Sequence, residues 1–514
     1  MLLATALIVA TLPLGVVQVG PGRTYTTIQA GIDAAVDGDT IEIDAGNYPN
    51  TGVKITKSNL TLKGVGGRPH LSFTGNIPND KGILVVELPT VHDLTIENLE
   101  ISGAQGASGN AAAIRFQGKN LTVRDAYLHH SQNGILEGHG DVSGSVVLIE
   151  RTELAFNGVA DSGYEHNIYI SSSVESFTLR YSYSHHAKEG HLVKSRALNN
   201  FIIANRIMDE LPVADGGTMD QSSALIDLPQ GGRGYIIGNL LHKGSNSQNK
   251  NAAIWFAREN GNNAPHELYV VNNTYVSATA LASTAMILAA RVGIAFVANN
   301  LGLGDGVTLL NFDPAESAAG RVFTVVNNYV DDALGQITLF DGATSAPADI
   351  TYSYSGNQHI LDAKLVNRAG FDWRLDTGSP AINNGVDPGS AHGVDLSPVA
   401  QYLHPTTGET RPQAGPLDIG AYEAQAGTPI VDEPATPTQE DDDGIITGPP
   451  NPNTPPPPPP EAAENTDDML AGGARIDGVC TEVGGSSWLA IGVLAAILAL
   501  RARSRKRWYR SSTL

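Results

Sequence analysis

One phrase, built from β-branched and aromatic residues and closing on asparagine or a polar substitute, returns nine times along the chain. It reads "LTIENLEI", "LTVRDAYL", "VLIERTEL", "FTLRYSYS", "FIIANRIM", "YIIGNLLH", "YVVNNTYV", "FVANNLGL" and "TVVNNYVD". The aligned polar positions are Asn98, Asp125, Arg151, Tyr181, Asn205, Asn239, Asn273, Asn300 and Asn328, spaced 24 to 34 residues apart. A repeat of this length with strand composition and no helical period specifies stacked β-coils, in which each turn buries its apolar face only against its neighbours. A second short strand per turn keeps the same rhythm, as in "AIRF", "GILE", "NIYI", "HLVK", "ALID" and "AIWF". Asparagine at a strand corner tolerates the left-handed conformation and bonds locally, and stacked copies satisfy one another. The fold class predicted is all-β.

A solenoid leaves open ends that need covering. The stretch "TYTTIQAGIDAAVDGDTIEID" predicts a short helix behind a Thr26-x-x-Gln29 capping box, then a first strand at Thr40–Ile43. The longer segment "VGPGRTYTTIQAGIDAAVDGDTIEIDAGNY" resembles the N-terminal cap of right-handed parallel β-helix proteins of the pectate-lyase superfamily. "WRLDTGSPAINNGVD" and "RPQAGPLDIGAYE" are similar to the closing segment of many secreted β-helices. The resemblance implies a right-handed parallel β-helix with a short N-terminal capping helix over residues 17–424. It implies no one activity, because this fold hosts lyases, hydrolases, epimerases and adhesins.

The two ends predict export and display. Residues 2–16, "LLATALIVATLPLGV", are uncharged and apolar, which predicts a signal peptide over 1–16. Residues 425–468 are rich in Pro, Asp and Glu, with "EDDDG" and "TPPPPPP", a composition that reads as an extended spacer. Over 469–514 an apolar run ending at Leu500 is followed by Arg501, Arg503, Arg505, Lys506 and Arg507. A basic flank after such a run orients a transmembrane segment with its C-terminus in the cytoplasm. The tail resembles myxobacterial-type C-terminal sorting signals. That resemblance implies processing at Cys480 by a sorting protease and a location at the cell surface or outer membrane; a plain membrane anchor is the alternative. Cys480 is the single cysteine, so no intrachain disulfide staples the fold.

With a net charge of −21 and few basic clusters, the chain lacks the basic face that nucleic-acid binding requires. An anionic substrate would need a local positive site. Residues 180–206 supply one, carrying Arg180, Lys188, Lys194, Arg196 and Arg206 against Glu189 alone, with His185, His186 and His191. The inward positions of the short strand would bury Glu137, Lys194 and Asp227. Charged groups resist such burial, so a one-residue slip is expected to turn them outward. The three histidines lack the spacing of a transition-metal site. Asp161, Asp215, Asp220 and Asp227 are candidates for the carboxylate pair of a glycoside hydrolase, and Trp255 for stacking on a sugar ring.

"EGHLVKSRALNNFIIANR" resembles the site coil of the chondroitinase B and alginate lyase family, in which a Glu stands five residues before a Lys-Ser pair, as Glu189 does before Lys194-Ser195. The resemblance implies Lys194 as the base of a β-elimination and Glu189 as a Ca²⁺ ligand, with Glu165 or Asn167 of "YEHNIYI" completing the metal site. The family's arginine has no counterpart near Pro229–Gln230, leaving Arg196 or Arg233 in its place. His191, Asp227, Arg233 and Trp255 are the expected substrate contacts. The function expected is elimination on an acidic, uronate-containing polysaccharide, against a non-catalytic carbohydrate-binding or adhesive protein and, third, a glycoside hydrolase.

Overall fold

Three long parallel sheets wind through the molecule, with one short α-helix among the described residues. The computed structural model describes residues 15–138, 142–159, 162–209, 222–278, 285–304, 306–312, 320–332, 335–340, 346–412, 415–424 and 427. Residues 1–14 and nearly all of the predicted spacer and tail, Cys480 included, lie outside them. Among the described residues no helix is long and apolar enough to cross a membrane.

Each coil visits the sheets in a fixed order. The first sheet has 13 strands, from Val16–Val19 to Ile350–Ser355; the second has 12, from Asn47–Pro49 to Gln358–His359; the third has 11, from Val53–Lys54 to Leu339–Phe340. Every pairing within them is parallel and joins one coil to the next, which is the right-handed parallel β-helix. Along each strand alternate residues turn inward, and Ile96, Val123, Ile149, Leu179, Ile202 and Ile236 stack as one buried column. The helix Ile28–Ala34 closes the N-terminal end by burying Ile28 and Ile32. Its cap is Thr27, whose hydroxyl accepts from the Ala30 amide at 3.3 Å; the predicted cap at Thr26 is one residue early.

The asparagine phrase resolves into two adjacent roles. The left-handed corner is filled by Asn98, Asp125, Arg151, Tyr181, Ala204, Asn272, Asn299 and Asn327. Asn205, Asn239, Asn273, Asn300 and Asn328 stand one residue later, fully buried. Each donates its amide to the next at 2.8–3.0 Å, ending on Asn357. Corner and ladder therefore share one word in the sequence but divide its work: the corner needs positive φ, the ladder needs paired amide groups in a dry interior.

A returning segment leaves the last coils and lies back along the corner between the first and second sheets. Corner residues hold it: Asn272 Nδ2 donates to Asp418 O at 2.7 Å and Asn299 Nδ2 to Val386 O at 2.7 Å. Further along, Arg206 Nη2 donates to Phe371 O at 3.3 Å. Gly408 packs so closely on Tyr181 that a Cβ there would lie 2.6 Å from the ring.

Glu137 corrects the slip argument. It pairs with Phe116 in the inward register and is buried, accepting from the Ser171 amide at 2.8 Å and the Ser171 hydroxyl at 2.9 Å. With the Ser173 hydroxyl donating to the other oxygen at 3.4 Å, Glu137 has the partners that burial demands, so no slip is needed. Burial pushes its carboxyl up to about 7 from 4.5. A carboxyl raised in the folded state contributes stability below its unfolded value that is lost as pH rises through the folded value. Glu137→Gln is therefore expected to flatten the fall in unfolding free energy between pH 4.5 and 7, by an amount on the order of 3 kcal/mol. Glu153, raised to about 7 by burial as well, retains its share. Urea unfolding at pH 5 and pH 8 measures the slope; an unchanged slope would contradict the assignment.

Candidate functional site

The third sheet presents an outward row in strict register: Arg115, Leu136, Tyr169, Lys194, Asp227, Trp255, Leu288 and Asn311. Beneath it Val193 pairs with Ile226 and Ile226 with Ile254, all three buried. The one-residue slip thus holds for the strands Val193–Ser195 and Ile226–Leu228: in "HLVK" and "ALID" the third letter goes in and the charged fourth goes out. Neighbouring strands lie about 4.8 Å apart, so Tyr169, Lys194, Asp227 and Trp255 form consecutive rungs.

Outward does not mean solvated. Lys194 Nζ lies 3.3 Å from Asp227 Oδ2 and 3.1 Å from Glu259 Oε1, and its side chain is 12% exposed. Glu259 comes from the segment that follows the strand Ala252–Phe256 and is held by its amide on Pro229 O at 3.0 Å. Arg196 grips the same carboxylate through Nη2 at 2.8 Å and Nε at 3.3 Å, and donates a short hydrogen bond to the Tyr169 hydroxyl. A guanidinium fork on a carboxylate is the stronger kind of ion pair. Burial raises Glu259, but Lys194 and Arg196 outweigh it and hold the carboxyl below its usual range. Burial dominates at Asp227 and pushes it up despite Lys194. Asp227 Oδ1 has no hydrogen-bond partner. The two carboxyls that share a single ammonium are thus shifted in opposite directions.

Two histidines back the row. His191 Nδ1 accepts from the Ala224 amide at 3.0 Å, which directs Nε2 to Asp227 Oδ2 at 3.4 Å. His166 Nδ1 accepts from the His191 amide at 2.9 Å, and the rings stack at 5.0 Å. Burial, with Lys194 adding to it, holds both well below the usual imidazole range, so both are neutral. Trp255 stands edge-on to His191 at 5.7 Å, with the Arg258 guanidinium 5.4 Å from its ring.

Glu165 and Glu189 lie in the turns that lead into the strands Ile168–Ile170 and Val193–Ser195. Both are buried, and each leaves Oε2 without a hydrogen-bond partner. Burial, with the like charge of Glu189 adding to it, raises the Glu165 carboxyl. Asn167 does not join them. Its amide donates to Leu154 O at 3.0 Å, Ser184 Oγ at 3.1 Å and His185 O at 2.9 Å, while its Oδ1 accepts from Asn157 at 3.0 Å. Every polar group of Asn167 is spent inside the coil, which excludes it as a ligand.

Of the predicted residues, Lys194, Arg196, His191, Asp227 and Trp255 come together. Arg233 stands on the strand Gly231–Ile237 of the first sheet and pairs with Glu267 at 3.1 Å. The cationic run is split in the same way: Arg180 binds Glu150 on the first sheet and Arg206 lies on the second, leaving Lys194 and Arg196 to the third. Asp161, Asp215 and Asp220 lie outside the described residues. Three members of the site were not singled out in the sequence: Tyr169, His166 and Glu259. Tyr169 was findable, since "NIYI" sets it on the same rung position as Lys194. Glu259 was not, because loop residues carry no periodicity.

No family model matches the chain, and no curated protein matches it. Among solved structures, the pectate lyase Pel9A is similar at 14% identity and a TM-score of 0.50, over 81% of this chain and 98% of that one. ORF18 of Geobacillus virus E2 is similar at 15% identity and a TM-score of 0.39, over 64% and 56%. The pectin methylesterase from Aspergillus niger is similar at 13% identity and a TM-score of 0.27, over 67% and 91%. At 14% identity the first likeness is one of fold, the parallel β-helix already described.

Proposed function

We propose that the protein cleaves an acidic, uronate-containing polysaccharide by β-elimination on the outer face of the third sheet. The observation that carries this reading is Glu259: the fork of Arg196 and the ammonium of Lys194 already hold a carboxylate. A uronate carboxylate has the same shape and charge. Displacing Glu259, it would take the guanidinium fork, which masks the negative charge that otherwise keeps the adjacent C5 proton weakly acidic.

The remaining roles follow from reach. To act as the base Lys194 must first release its ammonium proton to solvent; the free amine then takes the C5 proton, the C5–H electron pair becomes the C4=C5 double bond, and the C4–O bond breaks. The departing oxygen takes a proton from the Tyr169 hydroxyl, which Arg196 positions. Asp227 also holds Lys194, and His191 in turn contacts Asp227. The fold neighbour is a pectate lyase, which puts pectate among the polymers to test. Glu165 and Glu189 fit a hard cation such as Ca²⁺, since each has a buried carboxylate oxygen without a partner. Such an ion would supply further positive charge for an anionic chain.

A hydrolase is the second reading, favoured by the opposite shifts of Asp227 and Glu259. Two carboxylates that touch one ammonium are on the scale of the ~5–5.5 Å pair of retaining glycosidases. Incubation with alginate, pectate and glycosaminoglycans separates the possibilities. Elimination yields products that absorb in the ultraviolet; reducing ends without absorbance indicate hydrolysis. A polymer bound with neither product would overturn both in favour of an adhesin.

A further inference from the structure

The second sheet carries a different constellation, remote in topology from the row of Lys194. Three consecutive strands, His70–Ser72, Glu100–Ser102 and Tyr127–His129, bring His70, Glu100 and His129 together on their outer face. His70 Nδ1 lies 3.4 Å from Glu100 Oε1, and His129 Nε2 lies 3.1 Å from the same oxygen. All three candidate donor atoms fall within 4.8 Å of one another.

We infer that His70, Glu100 and His129 form a binding site for a divalent transition metal, Zn²⁺ being the best fit, with a further coordination position open to water or a ligand. Bonds of about 2.0–2.1 Å in a tetrahedron set neighbouring donor atoms about 3.3–3.4 Å apart. The separations of 3.4 and 3.1 Å stand near that value.

The outer nitrogens support the same conclusion. His70 Nε2 is 2.7 Å from Ser102 Oγ, and His129 Nδ1 is 2.6 Å from His130 Nδ1. Metal-bound histidines ordinarily hand their second N–H to such a partner, which fixes the ring and the tautomer. In the tautomers that direct both N–H groups to these partners, two imidazole lone pairs and a carboxylate oxygen converge on one point, and a cation there would take the place of the His129–Glu100 hydrogen bond. Tyr127 stacks on His129 at 4.1 Å and limits its rotation. His70 is 27% exposed at its side chain against 5% for His129, so the open side of the site faces outward past His70. Arg68 is a neighbouring cation whose charge acts on Glu100 and on Glu153 alike.

The helix contains its own control. Two strands further on, Tyr127, Glu153 and His185 occupy the same three positions, with His185 Nε2 on Glu153 Oε1 at 3.0 Å. There a tyrosine stands where His70 would be. The second set keeps the Glu–His pair that packing alone requires and lacks the third nitrogen.

The test uses the full chain without a histidine tag, stripped with a chelator and titrated separately with Zn²⁺ and Co²⁺. Expected for the parent are one equivalent bound per chain and, with Co²⁺, the visible absorption of a four- or five-coordinate site. His70→Tyr, which copies the second set, and Glu100→Gln are each expected to weaken binding at least 100-fold without lowering the melting temperature of the metal-free protein by more than a few degrees. Failure of the parent to bind a stoichiometric equivalent would overturn the inference. So would parent-like affinity in both variants, which would place the bound ion elsewhere, as at Cys480 of the tail. Neither outcome bears on cleavage at Lys194, since polymer cleavage is read separately.

Discussion

Lys194→Met is expected to lower turnover of the uronate polymer by about 10²–10⁴-fold, the usual worth of a positioned base. Binding should change far less, because Arg196 retains its fork and a base acts in the transition state. The same substitution also strips Asp227 of its counter-ion. Asp227 is buried, and an uncompensated buried charge costs about 3–5 kcal/mol, moderated here by protonation of a carboxyl already pushed up. Lost activity in the single variant would therefore be ambiguous. The double variant Lys194→Met/Asp227→Asn removes that ambiguity, since it leaves no orphaned charge. It should recover most of the melting temperature and none of the turnover. Turnover that returned together with stability would make Lys194 a structural partner of Asp227 and end its assignment as the base.

The largest loss of stability is expected at Asp209. Its carboxylate and the Lys243 ammonium are both fully buried, 3.1 Å apart. Ser222 Oγ donates to the same oxygen at 2.9 Å, and the Gly244 amide donates to the other. Asp209→Ala leaves Lys243 charged in the interior, at a cost of about 3–5 kcal/mol. Burial already depresses Lys243, and Asp209 is the charge that opposes this. Asp209→Asn keeps an acceptor for Gly244 and should fall between Ala and the parent. Chemical denaturation at pH 7 orders the three proteins. A loss below 1 kcal/mol in Asp209→Ala would show that Lys243 finds another partner.

The helix was legible because its signal repeats: the strand phrase sets the coils, and an inward isoleucine column follows from alternation. The slip that turns Lys194 and Asp227 outward was legible for a similar reason, since burying them bare would cost too much. Glu137 failed the same test, because its compensation comes from Ser171 and Ser173, whose contacts depend on a turn that no periodic rule describes. Lys194 shows the complementary limit. A strand position fixes the side of the sheet a residue faces but not what covers that side, and Glu259 arrives from a loop 65 residues further on. The outward lysine that the sequence suggests therefore lies inside an ion-pair network with little exposure. Arg233 misled by proximity in the chain: a coil spreads neighbouring residues over three sheets.

The returning segment alters how such a stack comes apart. A bare solenoid is a row of dominoes, each coil coupled only to the next, and its ends can fray one rung at a time. Here Asn272 and Asn299 reach backbone groups 146 and 87 residues further along the chain, and Arg206 reaches one 165 residues away. Those ties close large loops, whose entropic cost grows only slowly with length but must be met before the contacts form. The late coils and the segment that braces them should consequently melt as one cooperative block, leaving the unbraced N-terminal coils to depend on their helix cap. A ribosome also delivers the brace after the coils it fastens, so those coils stand unfastened until the brace emerges.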